Sequence, residues 1–153
     1  MASKTRALAE EGTDVGEERR KLFAQAYGRI SESMENGYFL EAITIIESLA
    51  SDRLESRLSY LKEEDFSFKN LGKLIESAKS EEPDEELKAL IVNELDVWRA
   101  KRNTSLHEMA KKADGDARTW QERVAEIEQV AKDGLQILRE IDKKCTKLRK
   151  SSS

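Results

Sequence analysis

Apolar residues recur at three- and four-residue steps along most of this 153-residue chain. A period near 3.6 gathers such residues on one face of a helix, so the chain must fold by burying helical stripes against one another. Leu22, Phe23, Ala26, Ile30 and Met34 mark a first helix from about residue 17, and Asn36-Gly37 supplies its stop. Phe39, Ile43, Ile46, Ala50, Leu54, Leu58 and Leu61 form a continuous stripe over residues 38–62. The connection is so short that the first two helices should form a hairpin.

Phe68, Leu71, Leu74, Ile75 and Ala78 describe a short third helix, and Ser80-Glu81-Glu82-Pro83-Asp84 reads as a linker and a helix start. The fourth helix is expected over residues 84–112 with the stripe Leu87, Ile91, Leu95, Trp98, Leu106 and Met109. After the turn Asp114-Gly115-Asp116, the spacing of Thr119 and Glu122 predicts a capping box. A last helix follows, with Trp120, Val124, Ile127, Ala131, Leu138, Ile141, Cys145 and Leu148 as its seam and Gly134 as a point of close helix contact.

Composition agrees with an all-α fold: 38% charged and 38% hydrophobic residues, 6% aromatic, one proline and seven glycines. The expected architecture is an up-down helical bundle of four long helices plus one short one. A single domain should occupy residues 17–150, behind a polar, disordered leader at 1–16 and ahead of a frayed tail at 151–153. No apolar run approaches the length of a membrane span, and residues 1–18 lack the apolar stretch of a secretory signal, so a cytoplasmic protein is expected. The single cysteine, Cys145, has no partner for a bridge or a cysteine-based zinc site.

A net charge of −4 argues against indiscriminate coating of nucleic acid. Two local basic clusters stand apart from that balance: Arg99, Lys101, Arg102, Lys111 and Lys112, and Arg139, Lys143, Lys144, Lys147, Arg149 and Lys150. The second also suits a helix C-terminus, where cations are favoured. Several charges occupy unexpected places in the stripes. Arg53 and Arg57 fall inside the second stripe, Glu47 lies on its border, and Arg102 takes the core place between Trp98 and Leu106. Such arginines either run their stems along apolar surface to water or line a polar cleft. A buried, unpaired Arg102 would cost several kcal/mol, so it must meet a carboxylate, water or an incoming phosphate.

His107 is the only histidine, five residues after Arg102 in the run Arg102-Asn103-Thr104-Ser105-Leu106-His107. Histidine chemistry near neutral pH therefore has one place to occur. There is no Gly-rich phosphate loop, no nucleophile elbow and no set of several histidines for a metal. Metal-free RNA cleavage needs a base for the ribose 2′-hydroxyl, a proton donor for the leaving 5′-oxygen, and positive charge on the phosphate. Five residues of helix rotate by about 140°, which separates Arg102 from His107, whereas Arg99, Asn103 and His107 share a ridge. Asn103 could orient the imidazole or hold a phosphate oxygen. One imidazole cannot readily serve as base and acid together, so the chemistry favours a symmetric homodimer that brings two into one cleft.

The run from Arg102 to His107, on a helical layout over residues 17–150, resembles the R-x4-6-H motif of the HEPN superfamily in its R-N-x-x-x-H form. The resemblance implies a metal-independent, cofactor-free endoribonuclease of the toxin or defence type, acting on RNA at a dimer cleft and leaving a 2′,3′-cyclic phosphate. It implies Arg102 and His107 as the catalytic pair and an antitoxin or operon partner protein. In that family a polar residue of the second helix often adjoins the site, and Glu47, Asp52 and Arg53 are the candidates, with Arg99 and Asn103 as supporting or RNA-binding residues. Toxins of one branch carry a tyrosine shortly after the histidine. Here Glu108 and Met109 follow, against control by modification of such a tyrosine. The other readings are a non-catalytic helical module that binds a protein or nucleic-acid partner, and a small-molecule or nucleotide-binding domain.

Overall fold

The computed structural model describes residues 4–10, 12–63 and 68–152, whose regular elements are helices with no strand among them. They are α1 (Val15–Glu35), α2 (Phe39–Lys62), α3 (Leu71–Glu81), α4 (Glu85–Ala89), a π-helical segment (Leu90–Leu95), α5 (Asp96–His107) and α6 (Trp120–Ser151). Each start and stop has a local cause. Gly37 takes φ +78°, the left-handed geometry that ends α1 before α2 begins. Asp84 accepts from the backbone N–H of Leu87 at 2.9 Å and so caps α4. Thr119 and Glu122 exchange side-chain and backbone bonds at 3.1 Å, the reciprocal box that starts α6.

The stripes converge on one core. Ile43, Ile46, Ala50, Leu54 and Leu58 of α2 are buried with Leu74 and Ile75 of α3, Leu87 of α4, Ile91 and Leu95 of the π-helical segment, Trp98 of α5, and Ile127, Val130, Leu138 and Ile141 of α6. α2 is the central element, packed on α1, α3 and α6. Trp120, expected in the α6 seam, is instead exposed, as is Phe68 ahead of α3.

The expected fourth helix differs in two respects. It runs as α4, the π-helical segment and α5 rather than as one regular α-helix, and it ends at His107 rather than near residue 112. Four-residue spacing alone does not set the first difference, because Ile46, Ala50, Leu54 and Leu58 of α2 take the same steps buried in a regular α-helix. Leu87, Ile91 and Leu95 are likewise all buried, the last two within the i→i+5 turns.

The second difference comes from α6. Arg123 donates Nη1 to the carbonyls of Glu108 at 2.6 Å and Lys111 at 2.7 Å, and Nη2 to Asp116 at 3.0 Å. These carbonyls are thereby satisfied without a further helical turn. Trp98 fixes the other contact between α5 and α6: its Nε1 donates to the Val130 carbonyl at 2.8 Å. A Cβ on Gly134 would come within 2.6 Å of the indole, so the glycine is where the helices approach closely. Ahead of α1, Arg6 is buried and reaches Asp52 and Glu55 of α2.

Candidate functional site

Glu47, Arg102 and Asn103 form one cluster between α2 and α5. One Nη of Arg102 donates to the Glu47 carboxylate, and the other donates to Asn103 Oδ1 at 2.6 Å. The pairing explains how an arginine holds a core place in an apolar stripe. Its side chain is 14% exposed, and a carboxylate from the facing helix compensates its charge. A guanidinium carries five N–H groups. Nε of Arg102 is buried without an acceptor, and each Nη retains one hydrogen beyond the two contacts named.

Of the three polar α2 residues, only Glu47 meets the motif arginine. Asp52 faces away, toward Arg6. Arg53 lies with Nε 3.3 Å from Asp142 of α6 and stacks on Phe23, its guanidinium carbon 3.8 Å from the ring centre. Six helical residues rotate by about 600°, so Glu47 and Arg53 point in different directions around α2.

The ridge of Arg99, Asn103 and His107 is likewise divided. Arg99 donates to Asp96 Oδ1 at 2.9 Å and lies over the start of α3, where a Cβ on Gly72 would be 3.4 Å from its Nη1. Asn103 Oδ1 accepts from Arg102, and no hydrogen bond joins the Asn103 side chain to the imidazole. His107 occupies the last position of α5, exposed, with no hydrogen bond or ion pair to another described residue. Within one chain the Arg102 and His107 side chains are not joined. No family model, curated protein or solved structure matches this chain.

The residues hardest to read from sequence are Asp116, Arg118 and Arg123. Arg118 chelates Asp116 and reaches Glu126 at 2.7 Å, and its hydrogen bonds hold the Asp116 carboxyl well below the usual carboxylate range. The Asp114-Gly115-Asp116 turn gave a signal for the bend but none for its partner on α6. Together with the Arg123 bonds to the Glu108 and Lys111 carbonyls, this network fixes the segment after His107. Among the described residues no group of three or more His, Cys, Asp or Glu is placed to hold a metal ion. No described helix is long and apolar enough to cross a membrane.

Proposed function

We propose that this chain is a HEPN-type, metal-independent endoribonuclease of the toxin or defence class, built as an up-down helical bundle and active as a homodimer. The observation that carries the reading is the Arg102–Glu47 pair, in which a polar residue of α2 adjoins the motif arginine as the resemblance implies. Glu47 and Asn103 hold the guanidinium in place with Nη hydrogens to spare for a phosphate oxygen. His107 stands exposed at the end of the same helix, accessible to substrate and to a second copy.

In the proposed reaction His107 of one protomer takes the 2′-hydroxyl proton, the 2′-oxygen bonds to phosphorus, and the P–O5′ bond breaks. The imidazolium of the second protomer gives a proton to the departing 5′-oxygen, leaving a 2′,3′-cyclic phosphate. Arg102 neutralises the phosphate as it becomes pentacoordinate. The substrate is RNA, and an antitoxin or operon partner protein would hold the activity in check in the cytoplasm.

The test is cleavage of single-stranded RNA by the purified chain in a metal chelator, with analysis of product ends. Cyclic phosphate ends, lost in His107→Ala and Arg102→Ala, support the reading. Equal cleavage by all three proteins, or none by the wild type as a dimer, removes it. The net charge of −4 and the 38% of charged residues motivate a second reading, a non-catalytic helical module that binds a protein or nucleic-acid partner. Partner binding that survives His107→Ala, without RNA cleavage, would select it.

A further inference from the structure

Toward the far end of α2 from Glu47, that helix and the last turns of α6 enclose a cavity of about 150 Å³ lined by Arg53, Ser56, Arg57, Tyr60, Cys145 and Arg149. Arg57 is ten residues past Glu47, about 15 Å along the helix, so this hollow is separate from the Arg102 cluster. Three of its six lining side chains are guanidinium groups.

One of those groups is held through part of its fork. Arg57 gives Nε and Nη2 to the buried Glu82 carboxylate at 2.7 and 2.9 Å. Arg53 makes no hydrogen bond to a described residue; it is placed by an ion pair with Asp142 at 3.3 Å and by the ring of Phe23, and its Nε is buried without an acceptor. The Glu82 bonds fix the plane of the Arg57 guanidinium, and Arg57 Nη1 and both Nη groups of Arg53 have no acceptor among the described residues. The Arg149 side chain makes no hydrogen bond or ion pair with a described residue. Against Glu82 and Asp142, the three arginines leave one positive charge uncompensated.

The remaining lining groups do not supply that charge. Ser56 and Tyr60 bring hydroxyls, and the Tyr60 ring lies 5.8 Å from the Arg57 guanidinium carbon. Burial pushes the Cys145 thiol up to about 11, so the sulfur is a neutral wall and not a thiolate. The C-terminal dipole of α6 disfavours an anion by about half a charge, within its last turn only. Fixed guanidinium N–H groups make stronger, directed contacts with phosphate oxygens.

We propose that this cavity is a binding site for a small phosphate-bearing anion, with phosphate oxygens held by Arg53, Arg57 and Arg149 and any substituent lying toward Tyr60. Its volume is below the ~300–1,000 Å³ of pockets that take drug-sized ligands. The occupant is therefore free phosphate or a phosphate monoester with a short arm, not a whole nucleotide.

The full chain is titrated calorimetrically with inorganic phosphate and, separately, with glycerol phosphate, with acetate as the control anion. Saturable one-site binding of a phosphate probe is expected, and the tighter of the two distinguishes a free-ion site from a monoester site. Arg149→Glu should weaken binding at least about tenfold, because it replaces a charge-assisted donor with a repelling carboxylate. Ser56→Glu, which puts a carboxylate at the cavity wall, should abolish it; both variants are checked for unchanged helicity and melting. Failure of both phosphate probes to saturate, acetate binding as tight as phosphate, or wild-type affinity in both folded variants overturns the proposal.

Discussion

Arg102 and Arg57 began as the same anomaly, an arginine set in an apolar helical stripe, and the fold treats them differently. Arg57 is clamped through two nitrogens by Glu82, whose side chain is 1% exposed, and it borders a cavity. Arg102 gives one Nη to Glu47, whose side chain is 29% exposed, and its other Nη to the neighbouring Asn103. The first pair is a structural anchor that also presents unused donors to a hollow. The second is partly open to water and keeps Nη hydrogens beyond its two contacts. What distinguishes them is the solvation of the partner carboxylate, because an ion pair closed off from water is costly to open.

The largest expected effect belongs to the Arg102 end. His107→Ala should lower RNA cleavage by about 10²–10⁴, the usual worth of a positioned acid or base. A change below threefold would reduce that end to a structural ion pair like the other. Next comes Arg57→Ala, which strands the buried Glu82 carboxylate and should cost about 3–5 kcal/mol in urea unfolding. A loss under 1 kcal/mol would mean that the clamp is not an anchor.

The Cys145 thiol reports how dry the arginine cavity is. Burial disfavours the charged thiolate, so alkylation in the folded chain should rise with pH toward a midpoint of about 11. A free cysteine titrates near 8.5, and the displacement makes reaction at pH 8 roughly 200-fold slower. A profile centred near 8.5 would show an open, hydrated hollow. The smallest effect is expected from Arg102→Ala, about 1–2 kcal/mol of stability, since the abandoned Glu47 can turn toward water. A cost equal to that of Arg57→Ala would erase the contrast.

Much of the helical framework was legible along the chain. The stripes of α2 and α6, the cap at Asp84, and the box at Thr119 and Glu122 all depend on residues within a few positions of one another, whereas Gly134 showed only as a gap in its seam whose filler, Trp98, comes from another helix. The end of α5 was not legible, because Arg123, sixteen residues beyond His107, satisfies the Glu108 and Lys111 carbonyls of the segment that follows the helix. The candidate site divided the same way. The run from Arg102 to His107 was readable, but nothing in the spacing of Glu47, Asp52 and Arg53 says which of them faces Arg102.

The sequence by itself determined that the chain is helical, that Arg102, Arg53 and Arg57 would need polar company, and that any imidazole chemistry belongs to His107. Tertiary structure decided the company: Glu47 for Arg102, Asp142 for Arg53, Glu82 for Arg57, and no described partner for His107. Helical period is a property of neighbours along the chain, encoded over a few residues. Charge compensation depends on which distant helix faces which, and here it links residues 25 to 89 positions apart.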